Sequence, residues 1–544
     1  MTLLLIFPQA KIEAAVFVSI GQNFTGNTFG DISQALPPDS NGAIGPEQFM
    51  EFINGAVSIY GKTDGQSVLG LSDVDFWSQA GVNLSATAAI SDPRVIYDPT
   101  SQRWFATQVD FNATATDPTL QANNFLLAVS DTSDPTSTWH GFRFRADPTT
   151  GRFADFPTLG VDAIAVYISG DFFHGETNAV GAGLVSIPKT DLLAATPTIA
   201  NRHWFGVMSY ATRGQVLQPA ICFDGSENGS ILSIADIGSD TNPHSNVVNF
   251  VVQNGGGTSP TLTASTFLNV LPYVVPYDAD LDAPQFSVLQ PDNTRTLLAN
   301  DARLSAKVYA VNGVLYAVHN TQLNGRLAIR WYRINAASHV LIEQGTIAEP
   351  NQDLFFPSIA ANQNGVVVIG CNGASATNFV SSYTYVGQIK NGVTTFGSQI
   401  LLKAGANDYH DVYEILAQLE DEPVVPSRWG DYSAMSVDPA DPTRFWTIQM
   451  YPSAVDPDTG AGYWSTQITE IIATTSPPLN ITNAGTNVLV SWPIAASDFQ
   501  LQSSTNLLAT NSWTTITSGI STNGSVISVL VAQTPSARFF RLKQ

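Results

Sequence analysis

One short pattern recurs along this chain: an apolar strand, a polar turn, then a second apolar strand. Asp92-Pro-Arg-Val-Ile-Tyr-Asp98 is followed by Trp104-Phe-Ala-Thr-Gln-Val109, and Asp155-Phe-Pro-Thr-Leu-Gly-Val-Asp162 by Ala165-Val-Tyr-Ile-Ser169. Pro219-Ala-Ile-Cys-Phe-Asp224, Phe356-Pro-Ser-Ile-Ala-Ala-Asn362 and Asp431-Tyr-Ser-Ala-Met-Ser-Val-Asp438 each lead into a similar second strand. Such units cannot bury a face alone, so repetition at tens of residues predicts a closed array of small sheets, a β-propeller. Candidate inner strands start near Asp39, Asp92, Asp155, Gln218, Asp301, Phe355 and Asp431, which predicts seven blades. The count falls to six if the Asp39 and Asp431 segments share one blade.

The expected fold class is therefore all-β. Helical periodicity is confined to Asp191–Ala195 and Asp411–Ala417. Small residues crowd the inner strands (Gly160, Ala220, Ala360, Ala361, Ser433, Ala434), as expected where blades converge on an axis. A propeller closes by pairing its two chain ends, which removes exposed edges. The segment Val16–Ile20 or Ala56–Tyr60 is expected to pair near Trp464–Ile472. The domain reading is a signal-peptide remnant over 1–15, a propeller over 16–473, a proline-stiffened linker over 474–478 and a small β-sandwich over 479–544.

Charged residues make up 12 % of the chain and the formal net charge is −22, with Lys and Arg numbering 23 in all. Nucleic acid and anionic membrane surfaces would be repelled. No apolar run reaches the roughly 18 residues of a membrane-spanning helix. Cys222 and Cys371 stand in apolar strands and read as two buried free thiols.

Three stretches carry a resemblance: Leu36-Pro-Pro-Asp-Ser-Asn-Gly-Ala-Ile-Gly45, Asp92–Asp98 with Arg103-Trp104, and Trp429-Gly-Asp-Tyr-Ser433 through Trp446. They resemble a family of secreted bacterial β-propeller proteins without assigned chemistry. The tail, with Leu489-Val-Ser-Trp-Pro493, Phe499-Gln-Leu-Gln502, Trp513 and Phe539-Phe-Arg-Leu-Lys543, resembles fibronectin/Ig-like C-terminal sandwiches of exported bacterial proteins. The resemblance implies fold and export, to the medium or the cell surface, and no reaction.

Chemistry is expected where the loops approaching the inner strands line one mouth of the channel. Asp39, Asp92, Asp155 and Asp431 would converge there, with Arg94, Arg152, Arg428, Tyr432 and His410 on the same rim. Converging carboxylates repel unless a cation or protons neutralise them. Ca²⁺ is the cation that such an oxygen set suits. The alternating acids Asp278, Asp280 and Asp282 read as a second, loop-borne calcium candidate, although they lack the glycine and glutamate of a helix-loop-helix site. No Gly-x-Ser-x-Gly nucleophile and no sialidase-type Asp-box repeat is present. The resulting expectation is a non-enzymatic recognition protein binding a glycan or an extracellular protein at the channel mouth. Its rival is a secreted polysaccharide hydrolase or lyase using rim carboxylates.

Overall fold

The computed structural model describes residues 16–236, 242–275, 287–423, 425–497, 499–507, 512–533 and 537–543. Asp278, Asp280 and Asp282 lie outside the described residues, as does the expected signal remnant over 1–15. The chain divides into a large unit, Ile20–Val386 with Phe396–Ile471, and a small one, Met1–Ser19, Gly387–Thr395 and Ile472–Gln544.

The large unit is all-β, a radial set of antiparallel sheets of the propeller type. The first is typical: Asn41–Ile44, Gln48–Ile53, Ala56–Gly61 and Ser67–Leu71 pair in sequence order. Sheets beginning at Ala88–Asp98, Phe153–Val161, Gln215–Pro219, Tyr309–Val311 and Asp353–Ala361 follow. In the last sheet Ala434–Val437, Arg444–Val455 and Gly462–Thr474 are joined by Phe17–Thr28 from the other end of the chain. The inner strands neighbour one another in turn, with Ile221–Cys222 linking Phe153–Val161 to Tyr309–Val311, and Ala434–Val437 returns to Asn41–Ile44. Where these inner strands pair directly they run parallel: Ile221 pairs with Val161 on one side and Tyr309 on the other.

Crowding at the axis explains the small residues. A Cβ on Gly160 would stand 2.6 Å from the Pro219 carbonyl oxygen of the neighbouring inner strand. Farther out the sheets pack through large side chains. Phe52, Phe76, Trp77, Val95, Trp104 and Leu126 form one such layer. Cys222 and Cys371 are buried free thiols. Helices over Asp73–Gln79 and Tyr210–Arg213 occur outside the two segments with helical periodicity. The first is fixed by its Ser72 cap, which accepts from the Asp75 N–H, rather than by periodicity.

The small unit has a four-stranded sheet (Asn480–Ala484, Asn487–Pro493, Val526–Ala532, Ile520–Asn523) and a three-stranded one (Thr514–Thr515, Gln500–Ser504, Phe539–Lys543). Val526–Ala532 alternates buried and outward residues at period two, so only one face reaches the core. That core gathers Val490, Trp492, Leu501, Ile527, Val529 and Val531.

Candidate functional site: the acidic start of the inner strands

The inner strands begin with a shared irregularity. Their pairing with the second strand slips between Ser91 and Arg94, Asp155 and Thr158, Gln215 and Gln218, and Phe355 and Ser358. The residue after each slip's first position is left-handed: Asp92 (φ 62°), Phe156 (φ 52°), Val216 (φ 53°) and Phe356 (φ 46°). Asp39 before the first inner strand has φ 54°. A non-glycine residue held there costs on the order of 1–3 kcal/mol, and persists only when its surroundings enforce it. The bulge also corrects the alignment read from sequence. Asp92 corresponds to Phe156, not to Asp155, which takes the place of Ser91.

A bulge turns one backbone N–H out of the ladder, and a side chain from another sheet accepts it. Asp92 N donates to Asn54 Oδ1 (2.8 Å), Phe156 N to Asp92 Oδ2 (3.0 Å) and Val216 N to Asp171 Oδ1 (3.2 Å). Asp431 N donates to Asp39 Oδ1 (2.8 Å), and Asn54 Nδ2 donates to Asp39 Oδ2 (2.9 Å). The acids thus tie sheet to sheet, rather than capping only their own turns.

Carboxylate oxygens of Asp39, Asp92 and Asp431 lie within 4.8 Å of one another. Burial, then the charges of Asp431 and Asp92, push the Asp39 carboxyl well above the carboxylate range. Burial and Asp431 raise Asp92. Burial and Asp92 push Asp155 up to about 7, and burial does the same to Asp171, its cross-strand partner. Arg428, exposed, binds Asp431 at 3.1 Å. A cavity of about 360 Å³ opens beside this cluster, with Asp39, Asn54, Asp73, Ser91, Asp92 and Arg428 in its wall.

Below the acids the axis is filled. Arg94, 2 % exposed, donates from Nε to Pro157 O (3.0 Å) and from Nη1 to Ser305 O (2.8 Å). Its guanidinium stacks 3.5 Å from the centroid of the Tyr432 ring, and the Tyr432 hydroxyl donates to Pro93 O. Lys307 Nζ donates to Gly42 O and Val95 O, both at 2.7 Å, and burial lowers its pKa to about 7.

Arg94 and Tyr432, expected on the rim, are thus buried beneath it, and two further rim expectations take other partners. Arg152 makes no hydrogen bond or ion pair with these acids; its backbone N–H binds Asp147. His410 sits between Glu414 Oε1 (2.9 Å at Nδ1) and Asp292 Oδ2 (2.8 Å at Nε2). Burial alone would lower its pKa, but hydrogen bonds and charge from Glu414 and Asp292 outweigh it and raise the value to about 9. At neutral pH His410 is an imidazolium that fastens helix Val412–Leu419, not a free base. A group whose folded pKa is raised stabilises fully below its unfolded value, 6.5, and ceases to as pH passes 9. His410→Gln is expected to cost roughly 1–2 kcal/mol at pH 6 and little at pH 10, read from urea midpoints at the two pH values.

Sequence reasoning missed Asn54, Asp171 and Lys307. Asp92-Pro93, Phe156-Pro157 and Phe356-Pro357 share a proline after the left-handed residue, and that spacing would have given the true register.

No family model and no curated protein matches this sequence. Similar solved structures include a protein of unknown function from Dyadobacter fermentans (10 % identity, 72 % of this chain and 97 % of that one, TM-score 0.37). The α-L-arabinofuranosidase Arb93A of Fusarium graminearum is 10 % identical over 82 % of this chain and 98 % of its own, with TM-score 0.37. An α-L-arabinanase of Penicillium chrysogenum is 10 % identical over the same shares, with TM-score 0.35. At these scores the likeness is one of general form only. Among the described residues no helix is long and apolar enough to cross a membrane.

Proposed function

We propose that the large unit is a seven-bladed propeller carrying a C-terminal β-sandwich, and that it is an exported recognition protein binding a glycan at its acidic mouth with Ca²⁺ as a bridge. One observation carries the reading: the carboxylates of Asp39, Asp92 and Asp431 come from three inner-strand starts and meet within 4.8 Å. Oxygens around one Ca²⁺, each 2.3–2.6 Å from it, are at most about 5 Å apart, so the spacing fits a single ion. Each oxygen of Asp39 and Asp92 already accepts one hydrogen bond, which leaves a lone pair on each for an ion. The adjoining cavity offers carboxylate, amide, hydroxyl and guanidinium groups, the mixture that sugar hydroxyls need, with Phe111 in its wall as a stacking surface.

A glycan array probed in Ca²⁺ and again in EGTA tests this. Calcium-dependent spots that disappear in Asp92→Asn are the expected result. Binding that is indifferent to EGTA removes the ion, and an array blank under both conditions removes the glycan. A hydrolase reading has one observation in its favour: Asp155, with a carboxyl near 7, neighbours the Asp92 charge. Reducing-end release from a polysaccharide panel, lost in Asp155→Asn, would replace recognition by catalysis.

A further inference from the structure

The inner strands that begin at the acidic mouth end, on the opposite side of Arg94 and Lys307, around a second cavity of about 290 Å³. It is of different character. Tyr97, Phe223, Tyr309 and Pro439 stand in its wall, with Asn362 and Gln363 as polar neighbours. Tyr97 and Tyr309 are both buried at 5 % exposure, so their rings are fixed parts of the wall. The Tyr309 hydroxyl donates to Met435 O at 2.8 Å, which orients that ring. Phe223 meets it edge-on, with centroids 6.4 Å apart and planes at 63°.

Charge in this cavity has one sign. No Lys or Arg lines it, while Asp224 and Asp438 do. Asp438 is already neutralised: Lys62 Nζ lies 2.7 Å from it and Trp446 Nε1 donates to it. Asp224 has no cationic partner among the described residues. Partial burial pulls its pKa up, but hydrogen bonds from Ser226 and Cys222 outweigh that and hold it below the carboxylate range. Three aromatic rings beside an exposed carboxylate without a cationic partner together suit a cation that sheds water cheaply. A methylated ammonium presents an apolar shell to the rings and keeps its full charge for their π faces and for Asp224.

We propose that this cavity binds a small quaternary or methylated ammonium group, held against Tyr97, Phe223 and Tyr309 with Asp224 as its counter-charge. The site is independent of the acidic mouth. The test uses the full chain and two probes of one shape, choline and its uncharged carbon isostere 3,3-dimethylbutan-1-ol, in isothermal titration. Choline is expected to saturate, and the isostere to bind at least about ten-fold more weakly, because a desolvated cation–π contact is worth up to about 2 kcal/mol. Asp224→Asn and Phe223→Ala, both at accessible positions, are each expected to weaken choline several-fold with an unchanged melting temperature. Should Phe223→Ala unfold, Asp224→Asn alone decides. Equal affinity for the two probes, no saturation with choline up to about 10 mM, or displacement of choline by Ca²⁺, which would place it at the acidic mouth, overturns the proposal.

Discussion

Arg94→Met is expected to destabilise the protein by about 3–5 kcal/mol, the largest effect of any single substitution at the axis. Met fills much of the same volume, so a cavity is not the main cost. The loss is polar. Arg94 satisfies the buried carbonyls of Pro157, in the strand Phe153–Val161, and of Ser305, in the segment before Tyr309–Val311. It also supplies charge to the acids above, lowering the Asp92 pKa against burial. Its stacking on Tyr432 at 3.5 Å adds a contact that a thioether only partly restores. Guanidinium unfolding of the two proteins measures the difference. Lys in place of Arg keeps the charge but not the planar fork, so Arg94→Lys is expected to recover less than half of the loss. A difference under about 1 kcal/mol for Arg94→Met would mean that the axis repacks, and that Arg94 is not what holds these strands together.

The acidic cluster makes a second large effect, this time on the dependence of stability on pH. Asp39, Asp92 and Asp155 hold their protons more tightly folded than unfolded, with Asp155 pushed up to about 7 from 3.8. A raised carboxyl therefore binds more proton in the folded state across that window. Its contribution is complete below the unfolded value and is lost as pH rises through the folded one. In EGTA the protein is expected to lose stability between pH 4 and 7, by on the order of 3 kcal/mol from Asp155 alone. Calcium held at the proposed site would oppose the loss, returning about 2.7 kcal/mol at a hundred-fold excess over its dissociation constant. Asp39→Asn removes one titrating carboxyl of the cluster, so it should lessen the EGTA slope while leaving the share from Asp155, and abolish the calcium response. Unfolding midpoints from pH 4.5 to 7.5, with EGTA and with Ca²⁺, decide both points. Parallel curves in the two buffers would eliminate the ion, and a chelated protein that gains stability with rising pH would eliminate the raised carboxyls.

The recurring strand pairs, the all-β character, the small residues at the axis and the buried thiols were legible in sequence, because each is a local pattern of period, size or polarity. The pairing of Phe17–Thr28 with Gly462–Thr474 was legible as one of two alternatives, since closure demanded a partner for the last sheet without naming it. The tail's alternation at Val526–Ala532 was equally local. His410 was not: its chemistry is set by Asp292, which lies 118 residues away, and by burial against Glu414.

The amino-acid order by itself determined that small sheets would repeat and that acids would stand near the start of several inner strands, since alternation and turn chemistry act between neighbours along the chain. Only the tertiary structure decided which of those acids meet. A bulge of one residue exchanges the roles of Asp155 and Phe156, and side chains from other sheets, Asn54 for Asp92 and Asp39 for Asp431, hold the freed amides. The physical reason is that a pairing shift of one residue turns a side chain to the opposite face, and its cost is settled by partners distant in sequence.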